Sequence, residues 1–303
     1  EGRVMKNFSA TKNFKYCAIL SIVLVAAGLA ALIAAPFGAN LFNLDIDFAG
    51  GTSFTYQLQE QVTPEIIDKV QETVREMAGE TPSAVPTGDG TQVLIKTKNM
   101  DSESREALHE AMKTAFSLED SARQDVQNVS PAVGKDMQSA AVKSSLIAAL
   151  LMLLYITLRF DFKSGAAAVV CLLHDVLVMI SAYVIFRLPL NMNFIAAALT
   201  IFGYSINASI ITFDRVRENQ KLARRADYND VVDRSVRQTL TRNINTTLTT
   251  LFTIVLIIFT GVESLRNFAI PITVGIVSGA YSSIFIAAPL WAKLKGMEKK
   301  KVK

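Results

Sequence analysis

Six stretches of the chain are apolar for about 20 residues at a time, the length a helix needs to cross the hydrocarbon core of a bilayer. They cover 16–35, 139–158, 165–186, 194–213, 243–260 and 268–291. Between the first two lies a segment of different texture, 36–138. There "GTSFTYQLQ" (51–59) alternates Phe54, Tyr56 and Leu58 with polar residues, the pattern of a strand buried on one face. Thr63 followed by Pro64 predicts a helix start, and Ile66, Ile67, Val70, Val74 and Met77 continue it at helical spacing. "SAVP" and "QVLIKT" flank the turn residues "TGDG" and predict two short strands. Asp101 or Ser102 can cap a second helix carrying Leu108, Met112, Ala115 and Phe116, and "DVQNVS" predicts a last strand. The order β-α-β-β-α-β is the split, ferredoxin-like one, with two helices on one sheet face and the other face or an edge left for a partner.

The fold class that follows is an α-helical integral membrane protein. It has six transmembrane helices and one α+β ferredoxin-like extracytoplasmic domain between spans 1 and 2. Its divisions are a terminus (1–15), the first span (16–35), the α+β domain (36–138), a five-helix bundle (139–292) with a basic loop (214–242), and a basic tail (293–303).

Composition agrees with the membrane class, since half of the 303 residues are hydrophobic. The net charge of +4 matters less than its distribution. The 214–243 loop holds Arg215, Arg217, Lys221, Arg224, Arg225, Arg234, Arg237 and Arg242, and the tail holds Lys293, Lys295, Lys299, Lys300, Lys301 and Lys303. Arg159 and Lys163, and Arg3, Lys6, Lys12 and Lys15, join that side, against Arg187 and Arg266 on the other. The positive-inside rule then puts both termini in the cytoplasm and makes the first span a signal anchor. It also explains the basic loops without a nucleic-acid partner.

Two cysteines in apolar runs and two histidines point to neither a disulfide framework nor a metal site. There is no phosphate-binding loop, HExxH or GxSxG motif, so no enzyme activity and no cofactor are expected.

The polar residues inside the spans are the candidate chemistry. "CLLHDVLV" puts His174 and Asp175 in the middle of the third span. Asp175 reads either as a carboxylate hydrogen-bonded to a neighbouring helix for packing or as a protonatable, ion-facing group. In the fourth span Thr200, Gly203 and Asn207 form one polar stripe, and Ser205, Ser209 and Thr212 form a nearly opposite one. Two such stripes predict protein or a wet cavity on two sides. In the fifth span Arg242, Thr246, Thr249 and Thr253 share a face. Either Arg242 is a snorkelling anchor, or it heads a hydroxyl ladder that lines an inward polar path. Gly275, Gly279 and Ser283 give the sixth span a close-packing seam.

Several blocks of the chain resemble the SecF family of protein-export membrane proteins. They are "LDIDFAGGTSF" (44–54), "VSPAVGKDM" (129–137), "RFDFKSGAAAVVCLLHDV" (159–176), "LNMNFIAAALTIFGYSIN" (190–207), "FDRVREN" (213–219), "QTLTRNINTTLTTL" (238–251) and "LRNFAIPITVGIVSGAYSSIFIAAPLW" (265–291). The resemblance implies a resistance-nodulation-division fold in the bacterial cytoplasmic membrane. It implies a heterodimer with SecD and association with the SecYEG channel, often with YajC or the YidC insertase. It also implies that cation flow, usually of protons, drives movements that draw exported preproteins outward after the SecA motor has acted. Asp47, Gly50 and Gly51 would form the motif after the first span, Asp175 the acid of a His-Asp pair, and Arg242 the relay arginine. One departure is plain: the family reads "GYSIND" in the fourth span, and here Asn207 is followed by Ala208, which cannot take up a proton. The favoured explanation is that SecD's own intramembrane aspartate carries the proton. The others are that Asp175 substitutes, or that coupling is weak. Two further readings are a structural scaffold for SecD with no relay of its own, and a small-molecule exporter of the same superfamily. A single domain of about 100 residues fits the exporter poorly.

Overall fold

The computed structural model of the chain describes residues 9–38, 41–79, 81–88, 90–223, 227–259 and 263–301. Arg3, Lys6, Arg224, Arg225 and Lys303, Asp89 of the "TGDG" turn, and Thr260 lie outside them. Helix α1 (Ala10–Ala34) leads to a short strand β1 (Asn43–Leu44) and a single turn α2 (Ile46–Ala49). A sheet domain follows: β2 (Gly51–Gln57), α3 (Pro64–Ala78), β3 (Ser83–Thr87), β4 (Gln92–Thr97), α4 (Ser102–Phe116) and β5 (Arg123–Val129). The strands are antiparallel in the order β3-β4-β2-β5.

Local chemistry sets the helix starts. Ile66 N–H donates to Thr63 Oγ1 at 3.4 Å, and Ser104 N–H to Asp101 Oδ1 at 2.8 Å. The alternating apolar positions of β2 and β4 face both helices, so Phe54, Tyr56, Val93 and Ile95 pack with Val70, Val74, Leu108 and Met112 in one buried core. Within it His109 Nδ1 stands 3.4 Å from the Tyr56 hydroxyl, with the two rings stacked. Burial pushes the Tyr56 hydroxyl up to about 12. Burial, helped by the Arg123 charge, holds the His109 imidazole below its ordinary value.

A histidine held neutral in the fold takes up its proton more readily when unfolded, near pH 6.5. The domain therefore keeps its full stability above that pH and loses part of it as pH falls toward the lower folded-state value. Hydrogen exchange of the domain's amides in the solubilised whole chain, corrected for intrinsic rate, should show protection declining below pH 6.5. His109→Gln should flatten that decline; an unchanged slope would assign it to another group.

The rest of the chain is helical: α5 (Pro131–Arg159), α6 (Phe162–Ile185), strand β6 (Pro189–Leu190), α7 (Met192–Leu222), α8 (Tyr228–Ile258), α9 (Glu263–Ser282), a π-helical turn (Ser283–Ala287) and α10 (Ala288–Lys301). Among the described residues, five helices are long and apolar enough to cross a membrane: α1, α5, α6, α7 and the continuous run Leu265–Gly296. The six-run reading differs at α8, whose middle is diluted by Arg242, Asn243, Asn245 and five threonines. Thr246, Thr249, Thr250 and Thr253 satisfy their hydroxyls on carbonyls of the preceding turn, as Thr246 does on Arg242 O (2.9 Å) and Thr253 on Thr249 O (3.2 Å).

Side-chain caps start α5, α6 and α7, with Ser130 Oγ accepting from Val133 N–H at 3.3 Å on α5. Asp161 and Ser164 form a capping box on α6, and Asn191 caps α7. At the end away from the sheet domain, the buried Asp233 of α8 accepts hydrogen bonds from Ser9 Oγ, Thr11 N–H and Thr11 Oγ1, which ties α1 to α8. Helices α6, α7 and α9 pack against one another in the middle of the bundle.

Candidate functional site

Asp175 lies at the meeting point of α6, α7 and α9 and is fully buried. Its Oδ1 accepts from Ser278 Oγ at 2.6 Å and stands 3.0 Å from His174 Nδ1. Its Oδ2 accepts from Ser205 Oγ at 2.6 Å and from Ser282 Oγ at 2.9 Å. All three serines are buried.

The cage closes because small residues let the helices approach. A Cβ on Gly279 would sit 3.2 Å from Ser205 Cβ, and one on Gly275 would sit 2.5 Å from Ile201. Three serine hydroxyls donate to the two oxygens, and His174 Nδ1 donates or accepts according to its tautomer. A proton added on Oδ1 would be donated to His174 Nδ1, whereas one added on Oδ2 obliges Ser205 or Ser282 to turn its hydroxyl away. Ser282 has an alternative acceptor at hand, Gly279 O at 3.3 Å. Protonation on Oδ2 would therefore alter the contact of α7 or α9 with α6. With Nδ1 directed at Asp175, His174 Nε2 is buried and has no hydrogen-bond partner among the described residues.

Ser278 and Ser282 do not stand out in the sequence as ligands. They occur at four-residue spacing beside Gly275 and Gly279, so the run reads as a packing seam. That spacing opposite an intramembrane aspartate is the signal that could have found them.

Apart from Ser205, the polar residues singled out in α7 and α8 do not join this cage. Ser205, Ser209 and Thr212 of α7 are buried, while Thr200, Gly203 and Asn207 are exposed on the surface of the chain. Ala208 is half-buried between them, and its carbonyl accepts from Thr212 Oγ1 at 3.3 Å. Arg242, Thr246, Thr249 and Thr253 are all exposed on the surface of this chain. The inward polar face of α8 is one residue further on, at Asn243 and Thr247.

Asp47 lies at a second junction. Its Oδ2 accepts from Met192 N–H at 2.9 Å and so caps α7 from the far side of the chain. Two residues earlier, the buried Asp45 pairs with Lys96 of β4 at 2.8 Å and accepts from Asn191 Nδ2 at 3.3 Å. Strands β1 and β6 pair in parallel beside it, with Asp45 N–H donating to Leu190 O at 3.0 Å. The sheet domain is thus tied to the first turn of the helix that carries Ser205. Gly50 and Gly51 make the sharp return into β2, with φ of 77° and 153°. A Cβ on Gly50 would meet Pro131 at 2.9 Å, and one on Gly51 would meet Thr97 O at 2.6 Å.

Residues 108–297 match the family model described as "Protein export membrane protein SecD/SecF, C-terminal". The chain is 37% identical over 263 residues to the protein translocase subunit SecF of Sebaldella termitidis, covering 85% of this chain and 84% of that protein. It is 36% identical over 294 residues to the SecDF subunit of Bacillus subtilis, covering 96% of this chain but 38% of that protein. The crystal structure of SecDF from Thermus thermophilus superposes with a TM-score of 0.81 at 34% identity, covering 95% of this chain and 39% of that one. The chain therefore spans well under half the length of these SecDF proteins and most of the length of the SecF protein.

Proposed function

We propose that this chain, which belongs to the SecD/SecF family of protein export membrane proteins, is an auxiliary subunit of the Sec translocase and promotes preprotein export across the bacterial cytoplasmic membrane. The observation that carries the reading is the cage around Asp175: one buried carboxylate holds three helices together through hydroxyl donors, two of which meet Oδ2 and would rearrange if that oxygen were protonated. Proton uptake and release there would rock α7 and α9 against α6. The Asp45–Lys96 pair and the Asp47 cap would pass that movement to the sheet domain.

In this reading α8 completes six spans, both termini are cytoplasmic, and the ferredoxin-like sheet domain stands outside. The exposed polar faces of α7 (Thr200, Gly203, Asn207) and α8 (Arg242, Thr246, Thr249, Thr253) are too polar for lipid and fit a SecD-type partner. Arg242 would then act across that contact. SecYEG, and YajC or YidC, would be outer members of the assembly.

A second reading, a scaffold without a relay, draws on the same cage, because a carboxylate held by three hydroxyls is also what a purely structural group looks like. Ala208 adds to it, since the acid that relatives would carry there is absent. Purification of the tagged chain from native membranes tests the assembly directly: a SecD-type protein and SecYEG should accompany it. Recovery of the chain with neither would end the export reading.

A further inference from the structure

We propose that the interface between α7 and α8 is a water-bearing seam that connects Asp175 to the cytoplasm and not to the outside. The inference rests on the orientation and the proton role given above. Along α8, Ser235, Thr239, Asn243 and Thr247 recur every fourth residue, and all are buried. Along α7 the buried polar positions are Ser205, Ser209, Thr212 and Asn219. Two hydrogen bonds set the helices face to face: Asn243 Nδ2 to Thr212 Oγ1 at 3.4 Å and Asn219 Nδ2 to Ser235 Oγ at 2.8 Å. Their antiparallel register brings Thr247 level with Ser209.

The seam begins at Ser205, whose hydroxyl is already on Asp175, and ends where Asn219 meets Gln238 and Gln238 meets Arg215 at the cytoplasmic end. At 1.5 Å per residue that stretch of α7 is about 21 Å long. Val216 is the one apolar position that interrupts the α7 side.

The independent sign of water is Asn243. Its Oδ1 is buried and has no hydrogen-bond partner among the described residues, although its amide nitrogen is engaged. Buried acceptors of this kind are satisfied by ordered water when the surroundings are polar, as they are here.

On the other side of Asp175 the chemistry reverses. Met179, Tyr183, Phe194, Ile201, Ile272 and Ile276 form one buried apolar cluster, with the Tyr183 and Phe194 rings 4.7 Å apart. That plug stands between the carboxylate and the sheet domain. In this conformation the carboxylate exchanges protons inward, and outward exchange requires the plug to part.

Polar residues between membrane helices can also be dry glue, and thiol accessibility separates the two cases. Thr247→Cys, Ser209→Cys and, within the plug, Ile201→Cys are placed singly in the full chain in native membrane vesicles of either orientation. Silver ions are added from one face, and thiols still free after denaturation are tagged. We expect silver to abolish tagging of Thr247→Cys and Ser209→Cys when added from the cytoplasmic face, and to leave it intact from the outer face. Ile201→Cys and the native Cys171 should stay tagged from both. Adding Asn243→Leu should restore tagging of Ser209→Cys. A seam cysteine that stays protected from both faces, or reacts equally from the outer one, would overturn the inference. Preprotein export, measured separately in cells, keeps the two readings apart: if Asp175→Asn left export unchanged, the proton reading would fall while a silver-accessible seam still stood.

Discussion

Replacing Asp175 with asparagine is expected to remove the proton-gradient-dependent part of preprotein export and leave the chain folded in the membrane. Asparagine has nearly the same volume, so the close contacts at Gly275 and Gly279 are kept. What changes is chemistry. The carboxylate accepts from Ser205, Ser278 and Ser282 and faces His174, whereas an amide offers one acceptor oxygen and an NH₂ donor. At least one serine must turn away, and the site is fixed permanently in an arrangement like the protonated one. Charge-assisted hydrogen bonds contribute about 1.5–3 kcal/mol each, so losing one should lower stability by a similar amount without unfolding the bundle. Pulse-chase maturation of a preprotein, with and without a protonophore, reads the result. The variant should export at the rate of cells that lack the subunit, with no further slowing by protonophore. Full export with full gradient dependence would leave the scaffold reading in possession of the site.

The second large effect is expected at Asp45. Its carboxylate is 7% exposed, and its ion-pair partner Lys96 is 21% exposed. Asp45→Ala leaves Lys96 and Asn191 facing a cavity without their acceptor. Breaking a buried pair from one side costs about 3–5 kcal/mol; because Lys96 keeps some water, about 2–4 kcal/mol is the expectation. Lys96→Met in the same chain should recover part of that loss, since the stranded ammonium is then gone. Export should fall as well, although Asp175 is untouched, because β4 no longer holds the first turn of α7. Urea unfolding of the solubilised chain measures the stability cycle, and the pulse-chase assay measures the coupling. Purely additive stability effects with normal export would mean that the pair does not join the two parts.

Much of this fold is legible in the sequence because apolar period and caps speak locally. Thr63 and Asp101 cap where expected, and the alternation of Phe54, Tyr56 and Leu58 turns inward as a strand should. The helices overrun the apolar stretches, since hydropathy marks the oily part of a helix and not its water-borne ends. Helix α5 starts at Pro131 and α1 at Ala10. Strand β1 and the turn α2 are too short to leave a period.

The site was half legible. An aspartate in a span announces itself by its cost, but its donors are serines, and a serine beside glycine looks the same whether it packs or ligates. The buried face of α8 is offset by one residue from its hydroxyl stripe. Arg242, Thr246, Thr249 and Thr253 form a tidy stripe, yet Asn243 and Thr247 are the residues turned inward. Hydroxyl patterns do not tell inside from outside when every threonine can satisfy itself on its own helix. The role of Asp47 depends on a contact with Met192, far along the chain, which no local pattern announces.

The π-helical turn at Ser283–Ala287 bears on how related chains should be lined up. A π turn holds one residue more than the α turn it replaces. From Ala288 onward the chain is therefore one residue out of step with Ser278 and Ser282. A relative lacking one residue in this stretch could keep both serines on Asp175. Its equivalents of Trp291 and Lys295 would swing by about 100°, away from Phe213 and Asp161, which they meet here at 5.4 Å between rings and 3.4 Å between charges. Columns beyond a gap at this point would match letters whose side chains meet different neighbours.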